Sequence, residues 1–230
     1  MINLKQKNAF ITGSSRGIGQ QIALGLAEQG CNIIVHGRTK ENCLKTLEIL
    51  KAYTIKTYCV YGELSSQDNI NQIIKQVQDL HINVDILYNN AGVMTPYKVD
   101  YWKHSWEDMM LSMKVNVFSI YGLCSAFIPA MVENGFGRVI NLVSGIKDQP
   151  ELLPYSLSKW AIVKLTDDIA IKLDGTGVRI NNLDPSWLTT DLGGEHADNP
   201  VEAVLPGALT PALIENDGAN GETFFAIEEI

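Results

Sequence analysis

The chain is short of the residues that build metal centres, disulfide frameworks and nucleic-acid faces. Its four cysteines, Cys31, Cys43, Cys59 and Cys124, include no Cys-x-x-Cys pair, and none stands at metal-ligand spacing with the four histidines. No metal site is expected, and the thiols are expected to be reduced and mostly buried. The histidines, His36, His81, His104 and His196, form no recognisable set and receive no role. Lysine and arginine total 18 against 26 aspartate and glutamate, a formal net charge of −8, and the basic residues are scattered. That balance excludes the clustered positive face a nucleic-acid partner needs. The start, Met1–Lys7, lacks the apolar region of a signal peptide, and no apolar run reads as long enough to span a bilayer. A cytoplasmic protein without a membrane partner is expected. No repeat, low-complexity tract or linker divides the chain, and 46% hydrophobic content over 230 residues can bury a substantial core. Residues 1–230 therefore read as one domain.

What is present is alternation. Apolar runs suited to buried strands fall at Asn8–Thr12, Asn32–His36, Thr57–Tyr61, Val84–Tyr88, Arg138–Val143, Val178–Leu183 and Thr223–Ile227. Between them the apolar spacing predicts helices near Gly17–Gln29, Lys40–Ala52, Gln67–Leu80, Ser105–Glu133 and Tyr155–Leu173. Strand and helix in turn predict an α/β fold, a doubly wound parallel sheet of about seven strands with helices on both faces. Ligands of such sheets bind outside the carboxyl ends of the strands, at the topological switch point. The stretch Pro185–Gly221 breaks the alternation, with prolines at 185, 200, 206 and 211, and its first half, about residues 186–205, reads as a flap over a substrate site.

The motifs gather at predicted strand ends. Tyr155 and Lys159 are one helical turn apart, so a helix opening after Pro154 sets phenol and ammonium on one face. A phenol ordinarily titrates near pH ~10, and an adjacent ammonium lowers that value toward the range general acid–base work needs. After the first strand comes Thr12-Gly13-Ser14-Ser15-Arg16-Gly17-Ile18-Gly19. Backbone N–H groups in such a turn can approach a pyrophosphate at the helix N-terminus, although a tight β–α turn alone also calls for glycines. Asn89-Asn90-Ala91-Gly92 after the fourth strand lets a flat ring or ribose approach the backbone, or is an ordinary turn. Asn116 lies in an apolar helical stretch where a buried amide needs a partner, and Ser144 follows the fifth strand.

Taken together, these residues resemble the short-chain dehydrogenase/reductase family over nearly the whole chain, in the family's order. The resemblance implies a Rossmann-type fold around a nicotinamide dinucleotide, with Asn116, Ser144, Tyr155 and Lys159 as a catalytic tetrad. It implies hydride transfer between nicotinamide and a small carbonyl or alcohol substrate while Tyr155 moves the proton. Ser144 would hold the substrate oxygen, Lys159 the nicotinamide ribose, and Asn116 a water leading protons to Lys159. The implied cofactor contacts are Thr12, Gly13, Ser15, Arg16, Gly17, Ile18 and Gly19 in the turn, and Arg38 after the second strand. They continue with Glu63 and Leu64 after the third strand, and Asn90, Ala91 and Gly92 after the fourth. Tyr155 and Lys159 complete the ribose side, and Pro185, Trp187, Leu188 and Thr190 the nicotinamide side. Family members are usually dimers or tetramers, so a homodimer or homotetramer is expected.

Three departures mark this chain. Ser186 replaces the glycine usual in the Pro-Gly segment, Glu63 stands where aspartate is commoner, and the ending after Phe225 lacks a tail seen in many 3-oxoacyl-carrier-protein reductases. Together with Thr190–Gly194, that ending looks more like carbonyl-reductase-type members. For the cofactor, the second strand ends in His36-Gly37-Arg38, with glycine where an NAD-preferring site places a carboxylate. Arg38, and Arg16 from the other side, are expected to meet a 2′-phosphate with charge-assisted hydrogen bonds, which selects NADP(H). The leading expectation is an NADP(H)-dependent reductase of a ketone or aldehyde. The alternatives are a 3-oxoacyl-thioester reductase, or a catalytically silent dinucleotide-binding regulatory protein.

Overall fold

Runs rich in isoleucine, valine and leucine, bounded by glycine and polar residues, become short buried strands, and each is followed by an amphipathic segment that must cover one sheet face. In the computed structural model, which describes residues 1–227, the elements follow in that order. They are β1 (Asn8–Ile11), α1 (Gly17–Glu28), β2 (Asn32–Gly37), α2 (Lys40–Leu50), β3 (Thr57–Tyr61), α3 (Gln67–Gln78) and β4 (Ile86–Asn89). Then come α4 (Trp106–Met113), one π-helical turn (Lys114–Phe118), α5 (Ser119–Glu133), β5 (Gly137–Leu142), α6 (Leu153–Leu173) and β6 (Val178–Asp184). Last are β7 (Leu188–Thr189), β8 (Asn199–Pro200), α7 (Thr210–Leu213) and β9 (Thr223–Phe225). The final three residues of the expected 1–230 unit lie outside the described residues.

The sheet is the expected seven-stranded Rossmann-type one, in the order β3-β2-β1-β4-β5-β6-β9, and every pairing in it is parallel. The chain reverses its direction of growth between β1 and β4, which opens a crevice at their carboxyl ends. Successive strand residues point to opposite faces, so Phe10, Ile34 and Leu87 pack with α3, α5 and α6. Ile11, Ile33, Val35 and Ile86 pack on the other face with α1 and α2.

Most boundaries differ from the sequence reading by one or two residues, and the following differences matter most. The last strand stops at Phe225 rather than Ile227, and α3 stops at Gln78 rather than Leu80. α6 opens at Leu153, which puts Pro154 in the first turn, where a missing N–H leaves no bond unmade. The helix expected over Ser105–Glu133 is continuous from Trp106 but carries a π turn in its middle. By length and composition these 28 residues could cross a bilayer, contrary to the sequence reading, and half of their apolar window is buried inside the protein. The region after β6 also holds more structure than its prolines suggested, with β7 and β8 paired in parallel.

Candidate active site

The glycine-rich turn is locked before any ligand is considered. The Thr12 hydroxyl accepts the Asn90 and Ala91 N–H groups, each at 3.0 Å, and the Asn90 amide donates back to the Thr12 carbonyl at 2.8 Å. The ends of β1 and β4 are thereby cross-braced at the switch point. Gly13 has φ +66°, and a Cβ there would sit 3.0 Å from the Ala91 Cα. A Cβ at Gly19 would collide with the Asn90 side chain and the Gly13 carbonyl. Thr39, Ser66 and Ser105 cap α2, α3 and α4 with their hydroxyls, whereas the N-cap of α1, Arg16, offers no side-chain acceptor and the first turn carries no acidic residue. An uncapped N-terminus directly after a glycine turn leaves N–H donors aimed at an anion, which fits the pyrophosphate of a dinucleotide.

The remaining expected contacts lie on the same edge. Leu64 is buried behind β3, while Arg38 and Glu63 are exposed at the rim. Ser15, Gly17, Ile18, Ala91 and Gly92 are half-buried along the crevice. Pro185 and Leu188 are buried after β6, and Trp187 is half-exposed with its indole N–H donating to the Gly193 carbonyl at 2.8 Å. Arg16, expected to approach the 2′-phosphate from the other side, pairs through its Nε with Asp191 at 2.7 Å; the turn that carries it faces Thr190, whose methyl lies 3.7 Å from where a Gly17 Cβ would be. Both partners are exposed, so this pair contributes at most about 1 kcal/mol.

The four tetrad residues are brought together where β4, β5 and α6 meet. Tyr155 and Lys159 are both buried, with the ammonium 5.6 Å from the phenol ring centre. Lys159 Nζ donates to the Leu142 carbonyl at 2.7 Å, so the end of β5 holds it in place. Asn116, on the π turn, accepts the Val93 N–H at 2.8 Å and donates to the Val93 carbonyl at 2.9 Å and to Ser158 Oγ at 2.8 Å. The Ser158 hydroxyl in turn donates to the Tyr155 carbonyl at 2.7 Å. Asn116 is therefore a brace between the segment after β4 and the first turn of α6, and both polar ends of its side chain are engaged. Gly92 lies against both groups, since a Cβ there would make ordinary contacts of 3.4 Å with Asn116 Oδ1 and 3.7 Å with Lys159 Nζ.

Burial sets the charge states. It pushes the Tyr155 phenol up to about 12, a hydrogen bond with the Ser144 hydroxyl pulls it partly back, and the Asp184 carboxylate raises it again. The expected lowering of the phenol by the ammonium does not prevail here. Burial also brings Lys159 down to about 8, with Asp184 acting to restore its charge. The phenol is thus protonated at neutral pH and the lysine titrates close to it.

Sequence reasoning missed several members of this assembly. Asp184 stands beside Gly145, whose Cβ would come within 2.8 Å of its Oδ2. Ser158 is buried under Asn116, and Ser14, Gln20 and Thr46 form a buried chain beneath the glycine-rich turn. His36 accepts the Gly13 N–H on Nδ1 at 3.0 Å. Only Asp184 carried a signal of its own, as an acid at a strand end next to Pro185; the others are ordinary polar residues whose buried partners lie elsewhere in the chain or in the backbone.

A profile described as short chain dehydrogenase matches residues 7–200. Among curated proteins, the 3-oxoacyl-[acyl-carrier-protein] reductase of Staphylococcus epidermidis is 29% identical over 228 residues, covering 97% of this chain and 92% of its own length. An uncharacterised oxidoreductase of Bacillus subtilis is 32% identical over 190 residues, 81% of this chain and 71% of that protein. Among solved structures, a gluconate 5-dehydrogenase of Burkholderia cenocepacia in complex with NADP and tartrate superposes with a TM-score of 0.84 at 25% identity, covering 97% of this chain and 94% of its own. A 3-oxoacyl (acyl-carrier-protein) reductase of Agrobacterium tumefaciens with NADP bound shares the fold, with a TM-score of 0.87 at 24% identity over 97% of this chain and 93% of its own. The profile covers every strand of the sheet up to β6, the glycine-rich turn and the Tyr155–Lys159 helix, and on that ground the chain belongs to the short-chain dehydrogenase/reductase family.

Proposed function

We propose that this protein is an NADP(H)-dependent reductase of a ketone or aldehyde, with Tyr155 as the proton donor. The observation that carries the reading is an arrangement: the Tyr155 phenol is buried, the Lys159 ammonium lies 5.6 Å from its ring centre and is held by the Leu142 carbonyl, and Gly92 and Asn116 stand beside that ammonium. A phenol, protonated at neutral pH, can give its proton to a carbonyl oxygen as hydride reaches the carbon. NADPH would supply the hydride. The uncapped start of α1 would hold its pyrophosphate, Arg38 at the end of β2 its 2′-phosphate, and Gly92 with Lys159 its nicotinamide ribose. Ser144 would orient the substrate oxygen toward the phenol, and Asp184 would keep Lys159 charged enough to return a proton to Tyr155. A water relay past Asn116 would use its main-chain carbonyl, since the side chain is taken up by Val93 and Ser158. We read residues 1–230 as one catalytic unit, with residues 186–205 as the flap over the substrate.

The Staphylococcus epidermidis relative supports a second reading, reduction of a 3-oxoacyl thioester. Steady-state turnover, followed at the nicotinamide absorbance, separates the readings. Simple ketones and aldehydes are expected to be reduced with higher kcat/KM than an acetoacetyl thioester, and the reverse order would establish the thioester reading. Tyr155→Phe is expected to lower turnover about 10²–10⁴-fold with NADPH affinity nearly unchanged. A variant retaining more than about a tenth of the activity would place the acid elsewhere. Tight NADPH binding with no turnover across the panel would establish the silent regulatory protein instead.

A further inference from the structure

We propose that His36 is a positioning residue for the cofactor: its neutral imidazole ties the glycine-rich turn after β1 to the segment after β3, setting the distance between the pyrophosphate and adenine ends of one bound NADP(H). This inference rests on the cofactor reading above and adds to it a residue that touches neither substrate nor hydride.

His36 stands one residue before the end of β2, between the two loops it would join. It is 2% exposed. Three hydrogen bonds define it: the Gly13 N–H donates to Nδ1 at 3.0 Å, Nε2 lies 3.2 Å from the Gly62 carbonyl, and its own N–H donates to Ser14 Oγ at 3.0 Å. These contacts select one state of the ring. Nδ1 must be an acceptor because a backbone N–H points at it, so Nε2 carries the proton and donates to Gly62. An imidazolium would set two N–H groups face to face at Gly13, and the opposite neutral tautomer would do the same and leave Nε2 without a donor for the carbonyl. Gly13 is the residue whose positive φ starts the turn, and Gly62 immediately precedes Glu63 and Leu64. The ring therefore fixes two cofactor-facing loops with one rigid side chain.

The surroundings hold that state. The imidazole is covered by the Phe10 ring, edge-on at 6.3 Å, by the turn residues Gly13 and Ser14, and by Gly62. The nearest ionisable side chains along the chain, Arg38 just after β2 and Glu63 after β3, are exposed at the rim, and the Cys43 thiol of α2 lies on the opposite face of the sheet, against Gly37. Burial brings the ring down to about 4, opposed only by the bond to the Gly62 carbonyl, with no charged neighbour contributing. The ordinary value is about 6.5. With the folded value below the unfolded one, the unfolded chain binds the extra proton first. This group's contribution to stability is then complete above about pH 6.5 and lost as pH falls toward about 4.

The test uses the whole protein. Nitrogen-15 NMR of the imidazole should show the Nε2–H neutral tautomer and no titration between pH 8 and pH ~5, since an unperturbed histidine would titrate at about 6.5. A ring that titrates near 6.5, or the Nδ1–H tautomer, would overturn the proposal. In parallel, His36→Leu is expected to raise the Kd for NADPH about tenfold, with KM for NADPH rising more than kcat falls, because a buried N–H loses its acceptor. His36→Asn, which keeps an acceptor for Gly13 but cannot reach Gly62, should recover part of that loss. A folded His36→Leu protein binding NADPH within twofold of wild type would sink the idea, as would a fall in kcat with KM unchanged, the mark of a merely destabilised fold. Should His36→Leu not fold, the wild-type NMR result decides alone. Absence of NADPH binding by the wild type would instead remove the cofactor reading itself, and is distinguishable from every outcome above.

Discussion

Ser186 shows how a single residue can keep a family's backbone without the family's side chain. It stands where glycine is usual and has φ +65°, the left-handed conformation that glycine adopts without strain. A non-glycine residue held there costs roughly 1–2 kcal/mol. The chain keeps the conformation because Pro185 and Leu188 on either side are buried and the Asp184 carboxylate accepts the Ser186 N–H at 2.9 Å. Ser186→Gly should therefore stabilise the protein. The greater freedom of glycine in the unfolded chain offsets part of the relief, leaving a net gain of about 0.5 kcal/mol, read as a higher urea midpoint at unchanged slope. A lower midpoint would mean that the serine hydroxyl makes a contact that outweighs the strain.

At the scale of elements, we assign cofactor choice to the place where β2 ends against the first turn of α2. Gly37 closes the strand, and a Cβ there would meet the Asn42 Cβ at 3.0 Å and the Cys43 sulfur at 3.1 Å. A capping box between Thr39 and Asn42 fixes that turn, so the strand end has little slack. Arg38 is exposed beside it and makes no ion pair among the described residues, whereas Arg16 is drawn to Asp191. Arg38 is thus the cation assigned to the 2′-phosphate, and a preference for NADPH over NADH of at least about tenfold, roughly 1.4 kcal/mol, is expected in kcat/KM. The double change Gly37→Asp with Arg38→Leu should reverse the order. Its Cβ needs Asn42 and Cys43 to yield by a few tenths of an ångström, and adding Cys43→Ala relieves the sulfur contact. If the triple variant still prefers NADPH, the phosphate is read elsewhere.

At the scale of the whole molecule, the sheet is covered on both faces, yet the outer sides of the helices remain partly apolar. Phe118 and Tyr121, beside and on α5, are 50% and 60% exposed, and Leu157 and Trp160 on α6 are 44% and 61% exposed. Asn116 lies in the π turn that runs into α5 and Tyr155 in the first turn of α6, so a partner packed there would also stiffen the wall of the candidate site. Large apolar side chains left in water on neighbouring helices support self-association. We predict a homodimer or homotetramer. Light scattering at working concentration should return a multiple of the 25.4 kDa chain mass, and Trp160→Glu with Tyr121→Glu should shift it toward the monomer. A monomeric wild type would refute this.

The sequence by itself determined the alternation of strands and helices and the parallel sheet that alternation requires. It also determined that every candidate motif falls just after a strand or on the helix following one, because these depend on local periodicity and on motif order. Tyr155 and Lys159 share a helix face for the same local reason. Tertiary structure alone decided the rest. The π turn at Asn116 was hidden because five residues cannot distinguish a wider helical turn from an ordinary one in an apolar run. His36 gave no signal because its partners Gly13 and Gly62 are joined to it by backbone groups, which no side-chain pattern records. Arg16 found Asp191 through the path of the chain after β6, and a phenol expected to be made more acidic by Lys159 is made less acidic by burial. Its charge state follows from how much water the packed elements exclude, and burial depends on parts of the chain far from the residue that feels it.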